Sequence, residues 1–448
     1  MKKVLLLGAG LVSRPLVRYL LDKAGVHLTI ATRTVAKAKT LAANHPHASA
    51  MALLAEETDK LEQLVAEHDL SISLLPAPLH PVVGQNCVKH RKHMVTTSYV
   101  SPAMLSLDGP AKQAGVLLLN EIGVDPGIDH MSAMRVIDDV RRRGGKVTHF
   151  KSYCGGLPAP DANDNPWGYK FSWSPRGVCT AGKNSARYLL DGRQVDIPSK
   201  DLFTDNRHGM RVEGVGELEA YPNRDSLSYI ETYNLQGIKT MFRGTFRYPG
   251  WCQALKAVVD LGLLDETQTT YPKGTTYAQF MRRFVKTPPS GNLRKDVATQ
   301  LKIDERSQIL DRFAWLGLFG DEELAITGQQ TTPLDVLAKR MEQKMVYAPR
   351  DRDMLVMCHL FVAEFPSAPA ERITSTFIDY GEPGGDTSMA RTVSLPAAIA
   401  ARMILEGRIT KTGVRIPVEA DIYNPVLNEL ATMGIACVEK TEPFKGKL

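Results

Sequence analysis

The 448-residue sequence predicts an α/β protein in three parts: a doubly wound parallel sheet, a mixed α/β domain and an all-helical insert. Three observations carry that expectation. Through residue 125, buried-strand and amphipathic-helix patterns alternate at a pitch that calls for parallel strands with right-handed crossovers. From 126 to 250 the alternation gives way to strand-like runs and a long loop without period. From Trp251 apolar residues recur at helical spacing, and strand character returns only around 354–380.

The elements follow in order. Val4–Leu7 reads as a strand, Gly8-Ala9-Gly10 as a turn, and Leu11–Lys23 as a helix with Leu11, Leu16, Tyr19 and Leu20 on its inner side. A second strand at 27–31 leads into a helix at 34–45. The pattern repeats with strands at Leu70–Leu75 and His93–Thr97, and again with one ending at Asn120. Residues 147–160 are strand-like, and 161–177 form an aperiodic Gly/Pro/Asp/aromatic loop, of a length that marks function or motion in a compact protein. Strand-like runs recur at 209–220, 226–233 and 239–248. Trp251, Leu255, Val258, Val259 and Leu263 then open a helical region that includes 332–345, where Thr332 is the N-cap and Pro333 the first helical residue. A long apolar helix at 387–407 returns to the first domain. The expected division is 1–125 with 385–448, 126–250 with 350–384, and 251–349.

Composition narrows the class. The chain is 43% hydrophobic and 23% charged, ordinary for a globular protein, and its net charge of +6 is spread rather than blocked, with no basic run of the kind that binds nucleic acid. The six cysteines form no CxxC pair, which predicts reduced thiols and a cytoplasmic location. The Val4–Leu7 run is too short for a secretory segment, and Arg14 and Arg18 follow it at once. No apolar stretch is long enough for a membrane span. The eleven histidines show no metal-binding spacing; His45, His47, His90 and His93 read as surface residues. No GxSxG or Cys/His nucleophile pattern is present, and Cys154, before Gly155-Gly156, reads as a buried structural thiol.

Gly8-Ala9-Gly10-Leu11-Val12-Ser13 follows the first strand and precedes a helix. The first glycine permits a tight turn, the second lets backbone approach a pyrophosphate, and the helix N-terminus supplies free N–H groups. Ser13 stands where a third glycine is common. After the second strand, where a carboxylate usually holds a ribose hydroxyl, the sequence has Thr32-Arg33-Thr34. A guanidinium there suits a 2′-phosphate, so the expected cofactor is NADP rather than NAD. Thr97, Ser98 and Tyr99 follow the fourth predicted strand, and Asp125 and Pro126-Gly127 the fifth, at the carboxyl edge where ligands bind such sheets. Plain turn chemistry is the other reading of both loops. Arg224, Arg243 and Arg247 lie in strand-like segments and suggest a carboxylate-rich ligand; the alternative is surface ion pairs.

"TTSYVSPAM", "NEIGVDPGIDH", "SYCGGLPAP", "DNPWGYKFSWSPRGV" and "AYPNRDS" together resemble the saccharopine reductases, the glutamate-forming saccharopine dehydrogenases of the aminoadipate lysine route. The resemblance covers nearly the whole chain, is densest at 94–176 and is loose in the helical insert. It implies a Rossmann domain, a mixed substrate domain, an all-helical domain and a homodimer. It also implies NADPH-dependent reduction of the imine of aminoadipate semialdehyde and glutamate to saccharopine. Carried over by motif, the cofactor touches Gly8, Ala9, Gly10, Leu11, Val12, Thr32, Arg33, Thr34, Leu75, Thr97, Ser98, Val124, Asp125, Pro126 and Ser174. Saccharopine touches Ser98, Tyr99, Asp125, Arg224, Gly244, Thr245, Phe246 and Arg247. One departure falls at Leu54-Ala55, where the family can carry an acidic residue near the adenine, and that contact is not carried over. Asp125 is the one side chain suited to orient the substrate amine, and loop 161–176 is expected to be a mobile lid. A related C–N-forming reductase on a carboxylated polyamine and a non-catalytic NADP-binding regulator are the alternatives.

Overall fold

Val4–Leu7 are fully screened from solvent, as four consecutive apolar residues must be at the centre of a sheet covered on both faces. In the computed structural model, which describes residues 1–54 and 56–446, they form β1 (Lys3–Leu7). The chain separates into two units, Met1–Val147 with the segment from Ala363 on, and Thr148–Val362. Ala55 lies outside the described residues.

The first unit continues with α1 (Arg14–Asp22), β2 (His27–Thr32), α2 (Val35–Ala42), β3 (Ala48–Ala52), α3 (Thr58–Glu67), β4 (Leu70–Ser73), α4 (His80–Lys89), β5 (His93–Thr96), α5 (Pro102–Leu105), α6 (Asp108–Ala114), β6 (Leu117–Leu119) and α7 (Ile128–Arg142). The strands pair in parallel in the order β3-β2-β1-β4-β5-β6. The order reverses between β1 and β4, the crevice where doubly wound sheets bind ligands. Two details differ from expectation. Helix α1 begins at Arg14, because Leu11 and Val12 belong to the turn; Leu11 is 70% exposed rather than inward. Strand β3, "ASAMA", has no β-branched residue and lies at the sheet edge, so pattern reading passes over it.

The second unit begins within β7 (Lys146–Pro158) and contains α8 (Pro175–Ala181), β8 (Ala186–Leu190), β9 (Arg193–Ile197), β10 (His208–Val212), β11 (Gly216–Pro222), α9 (Ser228–Thr232) and β12 (Thr240–Arg247). Then come α10 (Trp251–Leu261), β13 (Thr269–Thr270), α11 (Tyr277–Arg282), α12 (Leu293–Leu301), α13 (Gln308–Trp315), β14 (Gln330–Thr331), α14 (Pro333–Lys344) and β15 (Asp353–Phe365). Its mixed sheet runs β10-β11-β12-β7-β15, parallel at β12–β7 and antiparallel at β10–β11 and β11–β12. The run expected at 209–220 is a hairpin of two strands. The run at 226–233 is the helix α9: Tyr229 and Tyr233, four apart, meet at 5.5 Å on one helical face, a spacing that mimics strand alternation over so few residues. The hairpin β8–β9 turns on Asp191-Gly192, both at positive φ (49° and 80°), a dipeptide suited to a tight hairpin turn.

The loop at 161–176, expected to be a mobile lid, is anchored through its middle. Trp167 is 1% exposed, its Nε1 donates to the Arg312 carbonyl at 3.0 Å, and Arg312 Nε returns a bond to the Pro166 carbonyl at 2.8 Å. Lys170 Nζ is held by Asp164 and Asp351 at 2.8 and 2.5 Å. The loop lacks period because it is fixed by single buried anchors rather than by one apolar face.

The chain then supplies β16 (Ala368–Tyr380), α15 (Ser388–Leu405), β17 (Gly413–Arg415), α16 (Ala420–Thr432) and β18 (Val438–Pro443) to the first unit. β17 pairs in parallel with β6 as a seventh strand, and β18 pairs antiparallel with β16. Helix α15 is buried on nearly all sides, which accounts for its apolar sequence; Arg402 on it donates to the Tyr19 hydroxyl of α1 at 2.7 Å.

Candidate functional site

The glycine turn sits in the crevice between β1 and β4. Gly8 has φ +108°, and a Cβ there would stand 2.9 Å from the Leu74 carbonyl oxygen, so only glycine fits. Above Gly10 a Cβ would meet nothing within 4 Å: the backbone is open to an approaching ligand. Ser13, at the third-glycine position, is fully buried and its hydroxyl accepts from the Gly10 N–H at 3.1 Å. The departure from GxGxxG therefore closes the turn on itself and leaves the ligand-facing role to the N–H groups that follow. No acidic residue stands in the first turn of α1 or α2, so both positive helix ends are uncompensated from within. Thr32 ends β2, Arg33 is exposed, and Thr34 is the N-cap of α2 without spending its side chain on the cap. These features fit a dinucleotide with a 2′-phosphate: an open glycine turn for the pyrophosphate, and a guanidinium, a hydroxyl and a helix end for the extra anion.

Further along the same carboxyl edge, the loops after β5 and β6 interlock. Ile122 N donates to the Thr96 carbonyl at 3.3 Å and Glu121 N to the Ser98 carbonyl at 3.1 Å. Glu121, at φ +57°, turns its carboxylate back so that one oxygen accepts from Val100 N at 2.9 Å while the other meets His130 Nε2 at 2.8 Å. His130 is fully buried, so this hydrogen bond is part of a clamp on the 98–100 loop rather than a surface contact. The Tyr99 hydroxyl donates to Asp125 Oδ1 at 3.0 Å, which joins the two sequence-predicted loops directly. Behind Asp125 and Pro126 the chain is tightly folded: a Cβ on Gly127 would fall 2.0 Å from the Gly123 carbonyl oxygen, and Asp129 Oδ1 accepts from Gly127 N at 2.6 Å.

The structure adds residues that sequence reading missed. His80, the first residue of α4, is 3% exposed and hydrogen-bonds Ser73 and Ser98. Burial alone pushes its imidazole down to about 4, so it is neutral at pH 7. Its position just beyond the end of β4 was the available signal. Arg14, at the start of α1, lies 3.4 Å from Asp386, whose carboxyl burial pushes upward. Among the described residues no cluster of three or more His, Cys, Asp or Glu is placed to hold a metal ion, and no helix is long and apolar enough to cross a membrane.

The second unit holds Ser174, Arg224 and the Gly244–Arg247 run. Ser174 is the N-cap of α8, its hydroxyl accepting from Gly177 N at 3.1 Å. Arg224 is not on a strand: it lies in the connection after β11, exposed, at φ +51°. Arg243 is buried against Tyr229, donating to its hydroxyl at 2.7 Å with the guanidinium 4.3 Å above the ring, a structural contact rather than a surface ion pair. Arg247 is 4% exposed and walled by Tyr169, Tyr221 and Trp251, with ring centroids 5.1, 5.8 and 5.6 Å from the guanidinium carbon. Its Nη1 donates to the Phe246 carbonyl at 2.7 Å and its Nε has no partner. Burial raises the Tyr221 phenol, while Arg247 and Arg224 both act to lower it; this tyrosine feels both guanidiniums. Gly244 is required by packing, since a Cβ would come within 2.8 Å of the Phe242 ring, and the Phe246 side chain stacks on Tyr153 at 5.2 Å in the core. Cys154 is buried, and no cysteine among the described residues is bridged.

Two family models match the chain: "Saccharopine dehydrogenase NADP binding domain" over residues 4–119 and "Saccharopine dehydrogenase C-terminal domain" over 123–435. The saccharopine dehydrogenase [NADP(+), L-glutamate-forming] of Schizosaccharomyces pombe is 40% identical over 98% of this chain and 99% of its own length, and that of Saccharomyces cerevisiae is equally similar. The mitochondrial alpha-aminoadipic semialdehyde synthase of mouse is 38% identical over 97% of this chain, which spans 47% of that longer protein. The solved apo saccharopine dehydrogenase (L-Glu forming) of Saccharomyces cerevisiae superposes with a TM-score of 0.88 over 99% of this chain and 100% of that one, at 39% identity. With the glycine turn, the Arg33 end of β2 and matches of this extent in hand, the chain belongs to the saccharopine dehydrogenase family.

Proposed function

We propose that the chain catalyses the NADP-dependent, L-glutamate-forming saccharopine dehydrogenase reaction. In it saccharopine, water and NADP+ give glutamate, aminoadipate semialdehyde, NADPH and a proton, and the reverse reaction reduces the imine of the two products. The observation that carries this reading is Arg247: a guanidinium 4% exposed, walled by aromatic rings, with an unpartnered Nε and no carboxylate in ion-pair contact among the described residues. A buried cation of this kind is unfavourable unless an anion comes to it, and saccharopine brings three carboxylates.

The cofactor is assigned to Gly8–Val12, Thr32–Thr34, Leu75, Thr97, Ser98, Val124–Pro126 and Ser174. Bound there, NADP(H) accepts or supplies the hydride. The substrate is assigned to Ser98, Tyr99, Asp125, Arg224, Gly244–Phe246 and Arg247, with Phe246 contributing through its backbone because its ring is in the core. Arg224 and Arg247 bind carboxylates, Arg247 as a planar fork whose surroundings exclude water. Asp125, fixed by the Tyr99 hydroxyl, orients the amine at the reacting carbon. The clamped loops hold Ser98, Tyr99 and Asp125 in place before the substrate arrives, so these residues contribute chiefly by positioning. The functional division is 1–125 with 385–448 for the cofactor, 126–250 with 350–384 for substrate and dimerisation, and 251–349 as a helical domain. The working state is a cytoplasmic homodimer.

The test is fluorimetric. Purified protein given NADPH, glutamate and aminoadipate semialdehyde should oxidise NADPH, and given a polyamine with aspartate semialdehyde it should not. Oxidation only with the polyamine pair would replace the substrate assignment. Tight NADPH binding without turnover on either pair would make the protein a regulator.

A further inference from the structure

We infer that His80 is a positioning residue that fixes the direction of the Ser98 hydroxyl from behind the site. The inference rests on the assignment of Ser98 to the site.

His80 lies between two serines from neighbouring strand ends. Nδ1 is 2.8 Å from Ser73 Oγ at the end of β4, and Nε2 is 2.8 Å from Ser98 Oγ beyond β5. Thr96 Oγ1 is a distant third contact to Nε2 at 3.5 Å. The ring is 3% exposed and Ser73 fully buried, so the bond to Ser73 is screened from water, while Ser98 is partly buried. A neutral imidazole carries one N–H and one lone pair. Whichever nitrogen bears the proton, the other accepts. With the proton on Nδ1, Ser98 donates inward and presents lone pairs to a ligand. With the proton on Nε2, Ser98 accepts inward and its O–H is released outward. The ring couples its two bonds: when Ser73 accepts from Nδ1, Ser98 donates to Nε2, and when Ser73 donates, Ser98 accepts. The role Ser73 takes at the ring therefore fixes the opposite role for Ser98 at a ligand, although neither Ser73 nor His80 is assigned to touch the ligand. Ser98's backbone is fixed separately, its carbonyl accepting from Glu121 N, so the imidazole acts on the hydroxyl rather than on the loop.

The experiment is a double-mutant cycle in kcat/KM for saccharopine oxidation, with melting temperatures recorded for each variant. Ser98→Ala should lower kcat/KM by roughly tenfold, the loss of one well-placed hydrogen bond. His80→Asn reaches Ser73 but not Ser98 and should lower it by a similar factor. In the Ser98→Ala background it should lower it no further. His80→Gln, which restores a group near the Nε2 position, should recover activity to within about threefold of the parent. Ser73→Ala, a small change at a buried site, should lower kcat/KM by about threefold, and only when Ser98 is present. If His80→Asn does not fold, the Ser73→Ala cycle carries the test. Losses that add to that of Ser98→Ala, or unchanged kcat/KM in Ser73→Ala, overturn the inference. If Ser98→Ala alone leaves every kinetic constant unchanged, it is the placement of Ser98 in the site that fails.

Discussion

Replacing Arg33 by aspartate tests the cofactor site without disturbing the fold. Arg33 is exposed at the end of β2, between a half-buried Thr32 and the N-cap Thr34, so the substitution should leave the melting temperature within a degree or two. The effect on binding has two parts. Removing a charge-assisted bond to a 2′-phosphate costs about 1.5–3 kcal/mol. Placing a carboxylate about 4 Å from that phosphate in a solvated setting adds about 1 kcal/mol of repulsion. Together about 2.5–4 kcal/mol is lost for NADPH and none of it for NADH, which lacks the phosphate. The ratio of the two dissociation constants should therefore shift by a factor on the order of 10²–10³. Fluorescence titration of both nucleotides measures it directly. The effect should shrink as salt rises, because the group is exposed. If the NADPH-to-NADH ratio stays within twofold of the parent, Arg33 is a surface charge. Thr34 and the end of α2 would then have to carry the phosphate alone.

Four more outcomes are expected. Arg247→Lys keeps the charge but loses the planar fork and its stacking, and should raise the saccharopine KM roughly tenfold, about 1.4 kcal/mol, with NADPH affinity unchanged; loss of nucleotide binding instead would assign the residue to the other ligand. Glu121→Ala strips Val100 N of its acceptor and removes the carboxylate that His130 Nε2 meets in the core, so chemical unfolding should show about 2–3 kcal/mol less stability, and a change under 1 kcal/mol would show that the clamp is slack. His80 in the unfolded chain takes up a proton near 6.5 and in the fold only near 4, so the stability present at pH 7 declines as pH falls through that window. By pH 4.5 the loss is about 2–3 kcal/mol, and His80→Gln should lack that share of it; identical pH dependence would refute the burial argument. The amides of 167–170 should exchange slowly with or without ligands because of the Trp167 and Lys170 anchors, and fast exchange in the free protein would restore the lid.

The first unit was legible because its signals are local. Each strand–helix step carries its own periodicity, and the parallel order follows once the steps are counted. What escaped was short or edge-bound. "ASAMA" carries no strand propensity, and Asp191-Gly192 marks a hairpin only when the flanking "YLL" and "RQV" are read as paired. The error at 226–233 has a similar origin: over eight residues, a four-residue recurrence of tyrosines is hard to tell from alternation. Loop 161–176 reads as mobile for want of a pattern, whereas its middle is pinned by two single side chains, Trp167 and Lys170, that no periodicity announces.

The candidate site divides along the same line. Gly8, Gly10, Arg33 and the 97–99 and 125–127 loops announce themselves because a turn, a close approach or a charge at a strand end is a demand made within a few residues. His80 and Glu121 make no local demand. Their partners lie far along the chain: His80 reaches Ser98, eighteen residues on, and Glu121 reaches back twenty-one residues to Val100. Only the side-by-side ends of β4, β5 and β6 bring them together. The result is a division of labour around one residue. From the β6 side, the Glu121 N–H holds the Ser98 carbonyl, and from the β4 side His80 holds its hydroxyl. Backbone and side chain are fixed by different neighbours, so neither constraint can be relaxed by adjusting the other. A hydroxyl held in this way has given up rotational freedom before any ligand arrives, so the bond proposed between Ser98 and a ligand would be made at correspondingly lower entropic cost.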